Sequence, residues 1–149
     1  MTKLSVILFW VLVAGCTSLP EDTVNSEVLL SSKGEKIYIK TINWGATNDY
    51  QISIITTEKN KLQKRADSIG TVSGIEPFVY TFQNDSLTLY FDRENTYRIN
   101  EPFRTVQVSY VVLNQKEFKK ILIKASENNG YHSVPKAKKK TYPSDIRNL

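Results

Sequence analysis

The chain of 149 residues has almost none of the side chains on which catalytic and metal chemistry is usually built: one cysteine, one histidine and one methionine. A single cysteine excludes an intramolecular disulfide and a thiolate metal cluster. A single histidine means that any Ser-His-Asp set would have to route through His132, which sits beside Tyr131 just past a predicted helix end and reads as a surface or capping residue. No G-x-S-x-G elbow, H-E-x-x-H pair or P-loop is present, and the six glycines are scattered. Neither a metal nor a cofactor is therefore expected. The nearest approach to a carboxylate pair for glycoside hydrolysis is Asp92-Arg93-Glu94. It falls in a predicted turn, where Asp serves the backbone, and Asp49 in "GATND" has the same explanation.

An excess of charge of either sign is missing from the body of the chain. Residues 16–130 hold 14 basic and 14 acidic side chains. The excess that gives a net +5 is Lys3 together with residues 131–149, where Lys136, Lys138, Lys139, Lys140 and Arg147 stand against Asp145. A basic pI here describes a tail, not a nucleic-acid-binding surface, and no nucleic-acid partner is expected. A long apolar run is missing too. The uncharged stretch Leu4–Ala14 is eleven residues, too short for the ~30 Å hydrocarbon core at roughly 1.5 Å per helical residue.

What is present gives that stretch a meaning. Lys3 precedes it and Val13-Ala14-Gly15-Cys16 follows it: a basic start, an apolar segment, an aliphatic residue, two small residues and the only cysteine. This resembles the signal peptide and lipobox of bacterial lipoproteins. The resemblance implies cleavage before Cys16 and a diacylglyceryl group on its thiol, so Cys16 is the expected lipid anchor. Each buried CH₂ contributes ~0.8 kcal/mol, so several acyl chains hold where one is marginal. Thr17, rather than Asp, follows the cysteine; by resemblance to the enterobacterial sorting rule this favours the outer membrane. Glu21-Asp22 resembles the acidic surface-export signal of Bacteroidota lipoproteins at a longer spacing, which leaves open the side of the membrane that the domain faces. Asp22-Thr23-Val24, Asp67-Ser68-Ile69 and Asp85-Ser86-Leu87 resemble the O-glycosylation acceptor of that phylum, with Thr23, Ser68 and Ser86 as acceptors in predicted loops or turns.

The expected organisation is a signal peptide over 1–15, a tether over 16–25, a β-rich domain over 26–134 and a disordered basic tail over 135–149. Period-two alternation predicts strands at 26–31, 35–44, 50–58, 76–83, 86–92, 96–99 and 104–113, joined by Gly, Asn and Asp turns. Phe118, Ile121, Leu122 and Ala125 make a helical stripe within 114–129. Asn114 is the expected N-cap with Glu117 completing a capping box, and Gly130 the expected left-handed C′ residue. Residues 59–74 lack β alternation; Leu62, Ala66 and Ile69 offer a weak helical stripe, and a mobile insertion is the simpler expectation. The fold class is thus mainly β, an antiparallel sandwich or twisted sheet with one C-terminal amphipathic helix at about 115–129. The segments "INWGATNDYQISIITTEK" and "FVYTFQNDSLTLYF" are loosely similar to small lipoproteins of Bacteroidota, a resemblance that implies no activity.

The expected function is that of a lipid-anchored cell-envelope lipoprotein, not an enzyme, whose domain binds or scaffolds an envelope protein or glycan. Its tail lysines Lys136, Lys138, Lys139 and Lys140 would meet anionic lipid or lipopolysaccharide. The alternative is a carbohydrate-binding accessory module using Trp44, Tyr38, Tyr80, Tyr90 and Tyr97 as a stacking platform. Third is a hydrolase using acidic residues.

Overall fold

Alternating apolar residues with β-branched neighbours extend into strands wherever the pattern holds. A computed structural model describes residues 22–136 apart from 46, 48 and 94–96. The signal segment, Cys16, most of the tether and the tail from 137 onward lie outside the described residues. In chain order the elements are β1 (Thr23–Leu30), β2 (Lys36–Trp44), β3 (Tyr50–Thr56), β4 (Val72–Ser73), β5 (Phe78–Gln83), β6 (Ser86–Asp92), β7 (Gln107–Leu113), α1 (Gln115–Ser126) and β8 (His132–Val134). They form two four-stranded sheets, ordered β1-β2-β3-β4 and β7-β6-β5-β8, packed face to face with the helix on the outer side of the second. Among the described residues this is the β-rich architecture with one C-terminal helix expected from the sequence. Among the described residues no helix is long and apolar enough to cross a membrane.

The core between the sheets is built by Ile37, Ile39 and Ile55 from the first and Phe78, Tyr80, Leu87, Leu89 and Phe91 from the second. The rings of Phe78 and Phe91 lie 6.0 Å apart, and those of Phe78 and Tyr97 6.4 Å apart. On the far side of the second sheet, Phe118, Ile121 and Ala125 of α1 cover Val79. Asn114 accepts from the Glu117 N–H at 3.0 Å, and Glu117 accepts from the Asn114 N–H at 3.3 Å, the expected capping box.

Several boundaries differ from the expectation. β1 starts at Thr23, inside the segment read as tether, because Thr23 to Leu30 all find cross-strand partners on β2. No strand forms over Tyr97–Ile99; the side chain of Tyr97 is instead buried, and its hydroxyl accepts from the Ile55 N–H at 3.3 Å. β7 runs parallel to β6, one departure from an otherwise antiparallel arrangement. A parallel pair needs a crossover of about a dozen residues, and residues 93–106 supply it. The helix closes with Asn128, not Gly130, at C′. Asn128 has φ 58°, the Asn129 N–H donates to the Lys124 carbonyl and the Asn128 N–H to that of Ala125. That is a Schellman arrangement, in which Asn can stand in for Gly. The Gln83–Ser86 hairpin has positive φ at both Asn84 and Asp85, the type I′ geometry that matches strand twist.

The largest difference is the segment 59–74. It forms no helix: its part around Leu62 lies across the outer face of the first sheet, and Val72–Ser73 add β4 to that sheet's edge beside β3. Leu62 is fully buried with Ile42, Ile52 and Ile54, and Trp44 packs at the margin. Ile69, the other end of the supposed stripe, is 86% exposed. The buried ammonium of Lys40 donates to the carbonyls of Lys59 (2.9 Å) and Lys61 (2.6 Å), holding the segment over β2. Burial pushes the Lys40 pKa down, with Asp67 opposing it. The Asp67 carboxylate accepts from the backbone N–H groups of Gln63 and Lys64, at 2.8 and 3.1 Å. With covers on both sides, the first sheet buries both faces of β2 and β3. Neither sequence is a continuous apolar run, however: Lys40 and Thr41 of β2 and Gln51, Ser53 and Thr56 of β3 are buried polar residues.

Candidate functional site

Two surface features bring chemistry together. The first is a pocket of about 300 Å³ where the β1 edge, the end of α1 and β8 converge. Glu27 lines one side; Ser126 and Asn128 from the helix end, His132, Ser133 and Lys136 line the other. β8 exists because Phe78 pairs with Val134 and Tyr80 with His132, which places the histidine on a strand rather than at a helix cap. The His132 ring stacks on Tyr80, with centroids 4.9 Å apart and 20° between planes. Among the described residues the buried Tyr80 hydroxyl has no hydrogen-bond partner. Burial, and then the Glu27 carboxylate, push the phenol above its ordinary pKa, so it stays protonated. The pocket thus offers a carboxylate, an imidazole and an ammonium around a polar floor. That set suits a small polar ligand carrying charge or hydroxyls.

The second feature is an aromatic pair at the β2–β3 turn. Trp44 and Tyr50 stack at 5.8 Å and 16°, and Tyr50 is 61% exposed. Gly45 has φ 97°, and a Cβ there would meet Tyr50 Cδ2 at 3.0 Å, so glycine leaves room for the ring. The Arg65 guanidinium lies 5.7 Å from the Trp44 centroid while its Nε bonds Asp22 at 2.9 Å.

The five-residue aromatic platform expected from the sequence does not assemble. Tyr80 and Tyr97 are core residues. Tyr90 lies under the helix, tilted against Tyr131 at 5.6 Å. Tyr38 is half-buried on the outer face of β2, opposite Val28. Only Trp44 of that set joins an exposed aromatic neighbour, and the neighbour is Tyr50, whose place in an alternating strand hid it. Of the three glycosylation candidates, Ser68 lies in an exposed loop. Thr23 opens β1 and Ser86 opens β6, so those two are strand rather than loop residues. Asp92 closes β6, and its supposed partner Glu94 lies outside the described residues. Lys136 lines the pocket; Lys138, Lys139 and Lys140 lie outside the described residues.

No protein-family model, curated protein or solved structure matches this chain. The site's meaning therefore rests on its own chemistry.

The remaining polar clusters tie the sandwich together. Glu35 accepts from the N–H groups of Arg104 (2.9 Å) and Thr105 (2.7 Å) and from the Thr105 hydroxyl (2.6 Å). These bonds hold its pKa below the usual range. For Glu101, burial alone would raise the pKa. The Lys61 ammonium, the Thr56 hydroxyl and the Thr57 N–H outweigh it and leave the net shift downward. Asp85 is held low by the hydroxyl and N–H of Ser32. Each contact joins a loop of one sheet to a loop of the other or to the crossover.

Proposed function

We propose that this protein is a lipid-anchored envelope domain that binds a small polar or glycan-bearing partner and does no chemistry on it. The observation that carries the anchor is the order Lys3, Leu4–Ala14, Val13-Ala14-Gly15-Cys16. Acyl chains on Cys16 would hold the domain at a membrane, the outer membrane by the Thr17 argument. β1 begins six residues after Thr17, so the sandwich would sit close to the lipid surface. In that position the lysines of the tail add to attraction for anionic headgroups or lipopolysaccharide. Cys16→Ala is expected to abolish attachment: the variant, expressed with its signal segment, leaves the detergent phase of a Triton X-114 separation while the parent stays in it. Equal partitioning of the two refutes the anchor.

A glycan as the partner is favoured by one observation, the exposed Tyr50 ring stacked on Trp44 beside Arg65. Sugars present C–H faces that lie against such rings and hydroxyls that meet a guanidinium. Cosedimentation with peptidoglycan sacculi, and separately with lipopolysaccharide, is expected to show binding to at least one, several-fold weaker in Tyr50→Ala. Identical sedimentation of parent and variant, or none by the parent, discards the glycan reading and leaves the pocket beside Glu27 as the binding element.

A further inference from the structure

β1 is an eight-residue strand that, among the described residues, pairs only with β2. In an antiparallel pair every second residue turns its N–H and C=O away from the partner, so the outer side of β1 is an open template. Natural sheets guard such an edge with lysine, proline, a bulge or a cover. Among the described residues β1 has none of these; its one guard is the inward-pointing Glu27. Its sequence TVNSEVLL contains no lysine or proline, its register with β2 runs unbroken, and all its residues but Leu29 are exposed. Three of them are aliphatic, Val24 (48%), Val28 (51%) and Leu30 (59%). All three alternate onto the outer face of the sheet, where Val24 stands opposite the outward-facing Ile42. Leu62 of the 59–74 segment covers Ile42, Ile52 and Ile54, and Arg65 of the same segment pairs with Asp22 just before β1.

The geometry points to a second copy of this chain as the occupant: β1 pairs antiparallel with β1 of the other copy about Ser26, joining the two first sheets into one. Charge restricts the register. Glu27 is the only ionisable side chain in β1. Pairing centred on Glu27 would set two carboxylates side by side, which is repulsive. Centred on Ser26, the pairing runs from Thr23 to Leu29 in each copy. Glu27 then faces Asn25 of the other copy, whose amide donates to the carboxylate. Val24 faces the other copy's Val28 on both sides of the two-fold axis, burying aliphatic surface that the monomer leaves in water. A strand that is complementary to itself in this way needs no other partner. The pairing does not depend on the lipid anchor, although confinement to a membrane would raise the effective concentration of copies.

Cysteine scanning of the full chain in membranes tests it, with the parent chain as baseline. Residues directly opposite across an antiparallel pair have Cβ atoms about 4.5–5.5 Å apart, close to disulfide reach. Mild oxidation of Ser26→Cys is expected to give a covalent dimer several-fold above Lys116→Cys, an exposed site in the first turn of α1. Adding Val28→Lys to Ser26→Cys puts a cation against the other copy's Val24 and lowers the yield. A Ser26→Cys dimer no more abundant than that of Lys116→Cys overturns the proposal, as does a yield that Val28→Lys leaves unchanged. A dimer in the parent chain would instead report a free Cys16 thiol and count against the anchor, so the two readings fail separately.

Discussion

Leu62→Ala lowers the unfolding free energy by about 2–5 kcal/mol, the range for truncating a fully buried leucine whose surroundings cannot collapse into the void. Leu62 is 0% exposed and closes the cluster of Ile42, Ile52 and Ile54 from above. It does so from a backbone with φ 56°, a left-handed conformation that an unbranched-at-Cβ residue tolerates only when packing requires it. Alanine keeps the Cβ and hence the backbone cost, so the loss reports packing alone. The alternative, a helix over this segment with Leu62, Ala66 and Ile69 on one face, makes Ile69→Ala costly as well. With Ile69 at 86% exposure, the expected change for Ile69→Ala is within about 0.5 kcal/mol. Urea unfolding followed by Trp44 fluorescence measures both, because Trp44 packs at the rim of the same cluster. Comparable losses for the two variants would show that the segment does not lie on the sheet as described.

The domain is expected to lose stability in acid only as the pH falls through and below the range in which carboxylates titrate in a random chain. Glu35, Asp67, Asp85 and Glu101 all have pKa values depressed in the folded protein. For each, the unfolded chain binds the proton first as pH falls. The stability these groups contribute is therefore fully present above the unfolded values near pH 4–4.5 and is lost as pH drops through the folded ones. The expected profile is a Tm that is flat from pH 7 to about 5 and falls steeply below about 4. Glu35 contributes by accepting from both Arg104 and Thr105, which joins the β1–β2 turn to the end of the crossover before β7. Glu35→Gln starts from a lower Tm at pH 7 and loses less between pH 5 and 3. A variant whose acid slope matches the parent's would place the acid sensitivity elsewhere. Because the groups are solvent-exposed to differing degrees, salt reduces the contribution of the Lys61–Glu101 pair more than that of the Glu35 bonds to neutral donors.

The local elements of this protein were legible in its residues. Phe78, Tyr80 and Phe82 alternating before "QND", and Leu87, Leu89 and Phe91 after it, specify a hairpin, since period two and a left-handed Asn-Asp turn both act within a few residues. Asn114 and Glu117 specify a helix start for the same reason: both capping bonds close within three residues. Helix ends are less determined, and Asn128 took the position expected of Gly130 because either residue tolerates positive φ. What lay beyond the sequence was decided by partners far along the chain. The apolar face formed by Ile52 and Ile54 was plain from alternation, but whether the second sheet or the 59–74 segment would cover it depends on which side of β3 each packs against. His132 looked like a capping residue until Tyr80, over fifty residues earlier, paired with it and turned it toward Glu27. The parallel β6–β7 pair needed a crossover whose anchor, Tyr97 bonded to Ile55, spans both sheets. Alternation tells a residue which side of its own strand it takes; only tertiary packing decides what stands on that side.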